Sequence, residues 1–236
     1  MTQLIDIHSH GTAIPTEVFP PVGAPNGAIV IAHGSDGMAE PWAALIREYG
    51  ADLAGKGFTA FIPSYFAKTG TNPGLAVFAQ IPAHLDSWVE AVGDVLAQVK
   101  TFPGIAAQRV GLLGFSLGGH ICLRLRGATP AMVEFFAPEL RALGGLGAPQ
   151  TGKVQIEIHH GLADLLVPFT ETQAIAHVLE SQDAAPKVFS YEGAGHGFAG
   201  ADPNNATARR SAKIRTLDFF QKHLQPAAEV KHARQH

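Results

Sequence analysis

The sequence predicts an α/β fold class: a mostly parallel sheet covered by helices on both faces. Three observations carry that prediction. Short, largely apolar runs such as Ala28–His33 (AIVIAH), Phe58–Ile62 and Arg109–Phe115 have the character of strands buried on both faces. They alternate with longer amphipathic stretches, as in a sheet with crossover helices. Each of these runs stops at a Gly, Pro or Ser: Gly34, Pro63 and Ser116.

The elements follow in order. Leu4–His8 and Ile14–Phe19 form two opening strands joined near Gly11, and Ala28–His33 is the first buried strand. Pro41–Lys56 is helical and ends at Gly57. After the Phe58–Ile62 strand, Ser64–Gln80 is rich in Gly, Thr, Asn and Pro and is expected to be a long loop. Ile81–Lys100 is a helix with Pro82 near its start, Arg109–Phe115 a strand and Leu117–Arg126 a helix packed close behind it. Ala131–Ala137 is another apolar run, and Pro138–Gly152 is a connection too short for a separate lid domain. Strands at Val154–His159 and Lys187–Tyr191 flank a helix at Thr170–Ser181, and Ala206–His223 is the last helix. Residues 1–225 are expected to form one domain, followed by a polar tail at 226–236.

Composition excludes several function classes. Among 236 residues, 46% are hydrophobic and 16% charged, enough for a packed core and unlike a disordered chain. The net charge of −3 lacks the basic excess of a nucleic-acid binder. No apolar stretch approaches the roughly 20 residues of a membrane helix. The first ten residues, MTQLIDIHSH, lack the pattern of a secretory signal. A single cysteine, Cys122, rules out an intramolecular disulfide and suits a reducing compartment. The expectation is a cytoplasmic protein with neither nucleic-acid nor membrane partners; its oligomeric state is not legible.

The chemistry-bearing segments each follow a strand. Gly114-Phe115-Ser116-Leu117-Gly118-Gly119 has the G-x-S-x-G form of a strand-to-helix elbow that exposes a serine hydroxyl. The backbone N–H of Leu117 would open the helix and face an oxyanion. A serine needs a base, and His196, between glycines in Glu192–Phe198, lies after the last strand. The base needs an orienting carboxylate. Asp164 follows the Val154–His159 strand among apolar residues, although a turn or cap aspartate is the competing reading. The order Ser116, Asp164, His196 is that of α/β-hydrolases. A second oxyanion donor is expected from His33-Gly34-Ser35-Asp36-Gly37, with the Ser35 N–H as the candidate and His33 as a buttress. Tyr65, Phe66, Phe115 and Phe198 are candidates to line an apolar acyl pocket, with core packing the competing role. His8-Ser9-His10 and His159-His160 lack the surroundings of a metal-ligand set, so no metal is expected.

From Ala28 to Phe220 these residues resemble the dienelactone hydrolase family of α/β-hydrolases. The likeness rests on Gly57-Phe58…Pro63, the Gly114–Gly119 elbow, His160-Gly161…Asp164, Tyr191–Phe198 and Arg215-Thr216-Leu217-Asp218-Phe219-Phe220. The resemblance implies a lidless, mostly parallel eight-stranded sheet that hydrolyses esters or lactones without a cofactor. Members that cleave dienelactone carry a cysteine where Ser116 stands, and a glutamate in the loop that here reads Gly34-Ser35. Their arginines for the substrate carboxylate correspond to Lys68 and Gly200. The expected substrate is therefore a small neutral, partly apolar ester or lactone. Acyl transfer, thioester or peptide cleavage on the same triad, and ligand binding on an inactive scaffold, stand as alternatives.

Overall fold

The computed structural model describes residues 2–23, 25–137, 146 and 153–224. Apart from Leu146, the Pro138–Gly152 connection lies outside the described residues, as does the tail at 226–236. The strands are β1 (Gln3–Ser9), β2 (Thr12–Phe19), β3 (Gly27–Ala32), β4 (Phe58–Pro63), β5 (Val110–Phe115), β6 (Ala131–Phe135), β7 (Gln155–Gly161) and β8 (Lys187–Tyr191). They form one sheet in the order β1-β2-β4-β3-β5-β6-β7-β8. The β1–β2 and β2–β4 pairs are antiparallel, and every other pair is parallel.

Every residue of β3 and β5 is buried, as their unbroken apolar sequences require. Alternate side chains serve opposite faces. Ala28, Val30 and Leu112 pack with helices α2 (Val77–Val99), α3 (Leu117–Arg124) and α4 (Phe169–Glu180). Ile29, Ile31 and Leu113 pack with α1 (Trp42–Gly55) and α5 (Pro203–Leu224). No helix among the described residues is long and apolar enough to cross a membrane.

The Ser64–Gln80 stretch departs from its expectation. Tyr65–Lys68 is a 3-10 turn, and α2 starts at Val77, with Pro82 inside it. Val77 and Ile81 extend the buried stripe that Leu85, Trp88 and Val92 continue. Burial of that face extends the helix beyond the proline, despite the backbone bond a proline cannot make.

Register aligns the carboxyl ends of the parallel strands. Ala32 pairs with Gly114, Phe115 with Phe135, Phe135 with His159 and Gly161 with Tyr191. The loops leaving β3, β5, β7 and β8 therefore emerge along one edge, where ligands of open α/β sheets bind.

Glu134 lies buried on β6. One carboxyl oxygen accepts the Ala137 N–H at 2.9 Å. The other has no partner among the described residues. Burial pushes this carboxyl up to about 8, against the opposing pull of the Ala137 N–H. From its ordinary 4.5 up to about 8, the folded chain keeps a proton that the unfolded chain has released. Stability therefore falls as pH rises through that window. Glu134→Gln keeps an acceptor for Ala137 and removes the titration. It should be more stable than the wild type by on the order of a few kcal/mol near pH 9 and nearly equal near pH 5. Urea denaturation at both pH values checks this; an equal difference at the two would contradict it.

Candidate active site

Ser116 sits between β5 and α3 with φ 52° and ψ −118°, a region non-glycine residues rarely occupy. The surroundings hold this strained backbone in place. The Ser116 N–H donates to the Phe135 carbonyl at 2.7 Å. A Cβ at Gly114 would collide with the Gly118 carbonyl, and one at Gly118 with the carbonyls of Ala32 and His33. Only glycines let α3 approach the sheet this closely and turn the Ser116 side chain outward. Leu117 is the first residue of α3, so its N–H has no intrahelical partner and lies at the positive end of the helix.

Ser35 is buried in the loop after β3. The Gly37 N–H closes a turn onto the Gly34 carbonyl at 3.0 Å, and the Ser35 carbonyl accepts the Gly74 N–H at 2.9 Å. His33 braces this loop from behind. Its Nδ1 lies 2.9 Å from the Gly34 carbonyl, an acceptor only, so Nδ1 carries the proton. Burial pushes His33 down to about 4, with the Gly34 bond opposing, so it is neutral near pH 7. Tyr65 stacks on the His33 ring at 4.0 Å and donates its hydroxyl to the His33 carbonyl at 2.8 Å.

Asp164 performs two tasks. Oδ1 accepts the N–H groups of Leu166 (2.9 Å) and Val167 (2.8 Å), so the turn-aspartate reading is part of the finding. Oδ2 lies 2.7 Å from His196 Nδ1. Burial alone would raise the Asp164 carboxyl. The His196 and backbone bonds outweigh it and hold the group below its ordinary range. The carboxylate therefore stays ionised and accepts a hydrogen bond from Nδ1–H, leaving His196 Nε2 free to accept a proton.

The two loops are stitched together. Leu162 N–H donates to the Tyr191 carbonyl and Ala163 N–H to the Ala194 carbonyl, both at 2.9 Å. From α5, Asn205 accepts the Gly195 N–H and Arg209 donates to the Phe198 carbonyl, both at 2.8 Å. The histidine loop is thereby anchored on each side of His196.

The neighbouring histidines are occupied within the fold. His160 Nε2 donates to the Val167 carbonyl at 2.8 Å, and Nδ1 lies 2.7 Å from the Thr172 hydroxyl. His159 bridges Glu157 (2.9 Å) and the Tyr191 hydroxyl (2.7 Å). Burial lowers the pKa of both.

Ser116 and His196 line one cavity of about 110 Å³ together with Gly34, Ser35, Asp36 and Gly37. Its walls are Trp42, Leu45, Ile46, Phe115, Phe136 and Leu166. Of the side chains expected to line a pocket, Phe115 does so. The others face elsewhere. Tyr65 and Phe66 are buried against His33, and Phe66 also packs on Trp88. Phe198 is buried against Phe136 and Tyr191. Lys68 forms an ion pair with Glu90 at 2.9 Å and donates to Ser9, away from the cavity. Trp42, Leu45 and Ile46 went unread as lining residues. Their i, i+3, i+4 spacing on the helix after the Ser35 loop was the available signal.

The dienelactone hydrolase family model matches residues 14–224. A carboxymethylenebutenolidase of Rhodococcus opacus is 27% identical over 199 residues, 75% of each chain. Two solved structures share the fold. The dienelactone hydrolase of Anabaena variabilis superposes with a TM-score of 0.75 at 15% identity, covering 95% of this chain and 99% of that one. Esterase 2 of Thermogutta terrifontis, phosphorylated by paraoxon, gives a TM-score of 0.66 at 18% identity and 96% coverage of each. The chain thus belongs to the dienelactone hydrolase family and is a carboxylic-ester hydrolase of the α/β-hydrolase fold.

Proposed function

We propose that the protein cleaves a small ester or lactone with a short apolar acyl group and no free carboxylate. The proposed route is a Ser116–His196–Asp164 triad and an acyl-enzyme, on one domain spanning residues 1–225. The observation that carries this reading is the 2.7 Å contact from Asp164 to His196, whose ring shares a cavity with Ser116. His196 Nε2 takes the Ser116 proton as Oγ bonds to the substrate carbonyl carbon. The carbonyl π pair moves to oxygen, and the N–H groups of Leu117 and Ser35 receive it. Each such donor contributes about 3 kcal/mol to the transition state. Asp164 stabilises the imidazolium through Nδ1. His196 then protonates the leaving alcohol, activates water, and the acyl–serine bond is hydrolysed.

A cavity of about 110 Å³ favours a short acyl group. For scale, an engineered cavity of about 150 Å³ accommodates benzene. Buried Cys122, whose thiol pKa is raised by desolvation, suits the reducing cytoplasm as the proposed location. Steady-state hydrolysis of p-nitrophenyl esters of graded length tests the reading. kcat/KM should peak at two to four acyl carbons and fall on the order of tenfold or more by eight. Equal or rising efficiency toward long chains would contradict it.

A further inference from the structure

The buried carboxyl of Glu134 takes no part in the proposed hydrolysis, yet it lies directly behind the site; its role here rests on that hydrolysis and on the short acyl group. The chain leaves β6 through Glu134–Ala137. The Phe135 carbonyl accepts the Ser116 N–H at 2.7 Å. The Phe136 ring lines the cavity, its centroid 5.1 Å from that of His196 and 4.9 Å from that of Phe198. Phe136 has φ 51°, a left-handed conformation that a bulky residue adopts only under constraint. The constraint comes from both sides. Its own N–H donates to the His159 carbonyl at 3.2 Å, and the next N–H, that of Ala137, donates to Glu134 Oε2 at 2.9 Å. From α3, a Cβ at Gly119 would meet Oε2 at 3.1 Å. The other carboxyl oxygen has no partner among the described residues. Such a group lowers stability, and an apolar side chain would fill the same space, so packing alone does not account for it.

We infer that Glu134 is a positioning residue: by accepting the Ala137 N–H it holds Phe136 in its left-handed turn, so that the ring closes the acyl cavity beside His196. Glu134 does not reach the reacting atoms. It acts through Phe136, the wall that limits the length of the acyl chain. Without the acceptor, the buried Ala137 N–H has no partner, and the turn relaxes to find one. The ring then withdraws, and a longer acyl chain gains room. At pH 7 burial keeps Glu134 protonated, its pKa pushed up to about 8, so glutamine matches both its charge and its acceptor.

The test is the ratio of kcat/KM for p-nitrophenyl butyrate to that for p-nitrophenyl octanoate at pH 7. Both esters are read on one preparation, so the ratio cancels the amount of folded enzyme and a loss of stability alone does not move it. The wild-type ratio should be on the order of tenfold or more. Glu134→Met, which keeps the volume and loses the acceptor, should bring it toward about unity, whereas Glu134→Gln should keep it. Phe136→Leu should shrink the ratio as Glu134→Met does, and the double variant should go no further than Phe136→Leu alone. A wild-type ratio in Glu134→Met, or an equal fall in Glu134→Gln, would overturn the inference. Should Glu134→Met not fold, Phe136→Leu decides: a fall there with Glu134→Gln unchanged supports the inference, and a wild-type ratio overturns it. All these outcomes leave ester hydrolysis standing. A wild type equally efficient on both esters would overturn the short-acyl reading and this inference with it. Absence of both turnover and fluorophosphonate labelling would overturn the hydrolytic reading itself.

Discussion

Ser116→Ala is expected to lower kcat/KM for ester hydrolysis by on the order of 10⁴-fold or more while the chain stays folded. The substitution removes one hydroxyl from a part-buried side chain that opens onto the cavity, so no core packing is lost. Alanine meets the positive φ of 52° with a Cβ like that of serine, so the strain of the elbow is unchanged. A stability change within about 0.5 kcal/mol is therefore expected. The N–H groups of Leu117 and Ser35 and the cavity remain. Residual catalysis above water on the order of 10³-fold would thus persist in the proposed mechanism. Thermal melting beside steady-state kinetics separates loss of chemistry from loss of fold; near wild-type turnover in a folded variant would contradict the role of Ser116.

Asp164→Asn is expected to lower kcat by on the order of 10³- to 10⁴-fold through a tautomer rather than through lost contacts. The amide oxygen keeps the positions of Leu166 and Val167 only if it occupies the place of Oδ1. The amide nitrogen then faces His196 Nδ1, which must become an acceptor. The imidazole proton moves to Nε2, the atom that would have taken the serine proton. Flipping the amide restores the tautomer but points NH₂ at two backbone donors in a buried turn, at a cost of about 1–3 kcal/mol. Either arrangement suppresses general-base catalysis with the loop still closed. The check is kcat alongside the melting temperature. A folded variant within tenfold of the wild type would rule out Asp164 as the orienting carboxylate.

How far the sequence alone reached can be judged residue by residue. The strands buried on both faces were legible because an unbroken apolar run such as AIVIAH has few other uses. Ser116, Asp164 and His196 were legible as loop residues just past strands, since register brings those strand ends to one edge. The aromatic side chains were not. Tyr65 and Phe198 flank site segments in the chain, yet their direction is set by turns that have no periodicity. A 3-10 turn sends Tyr65 under His33, and the positive φ of Gly197 and Phe198 turns the latter into the core. Trp42, Leu45 and Ile46 share a helical face, but spacing alone does not say whether such a face meets a core or a cavity. Pro82 hid the first turn of α2, where the burial of Val77 and Ile81 prevails over local propensity. Lys68, which the family resemblance matches to a substrate-binding arginine, is instead engaged with Glu90.

The central claim is that the hydroxyl of Ser116 is made nucleophilic by the imidazole of His196. Covalent labelling by a fluorophosphonate, located by peptide mass spectrometry, reads this most directly. Stoichiometric adduct on Ser116 is predicted, absent in Ser116→Ala and slowed by orders of magnitude in His196→Ala. An adduct elsewhere, or a folded wild type that stays unlabelled, would contradict it.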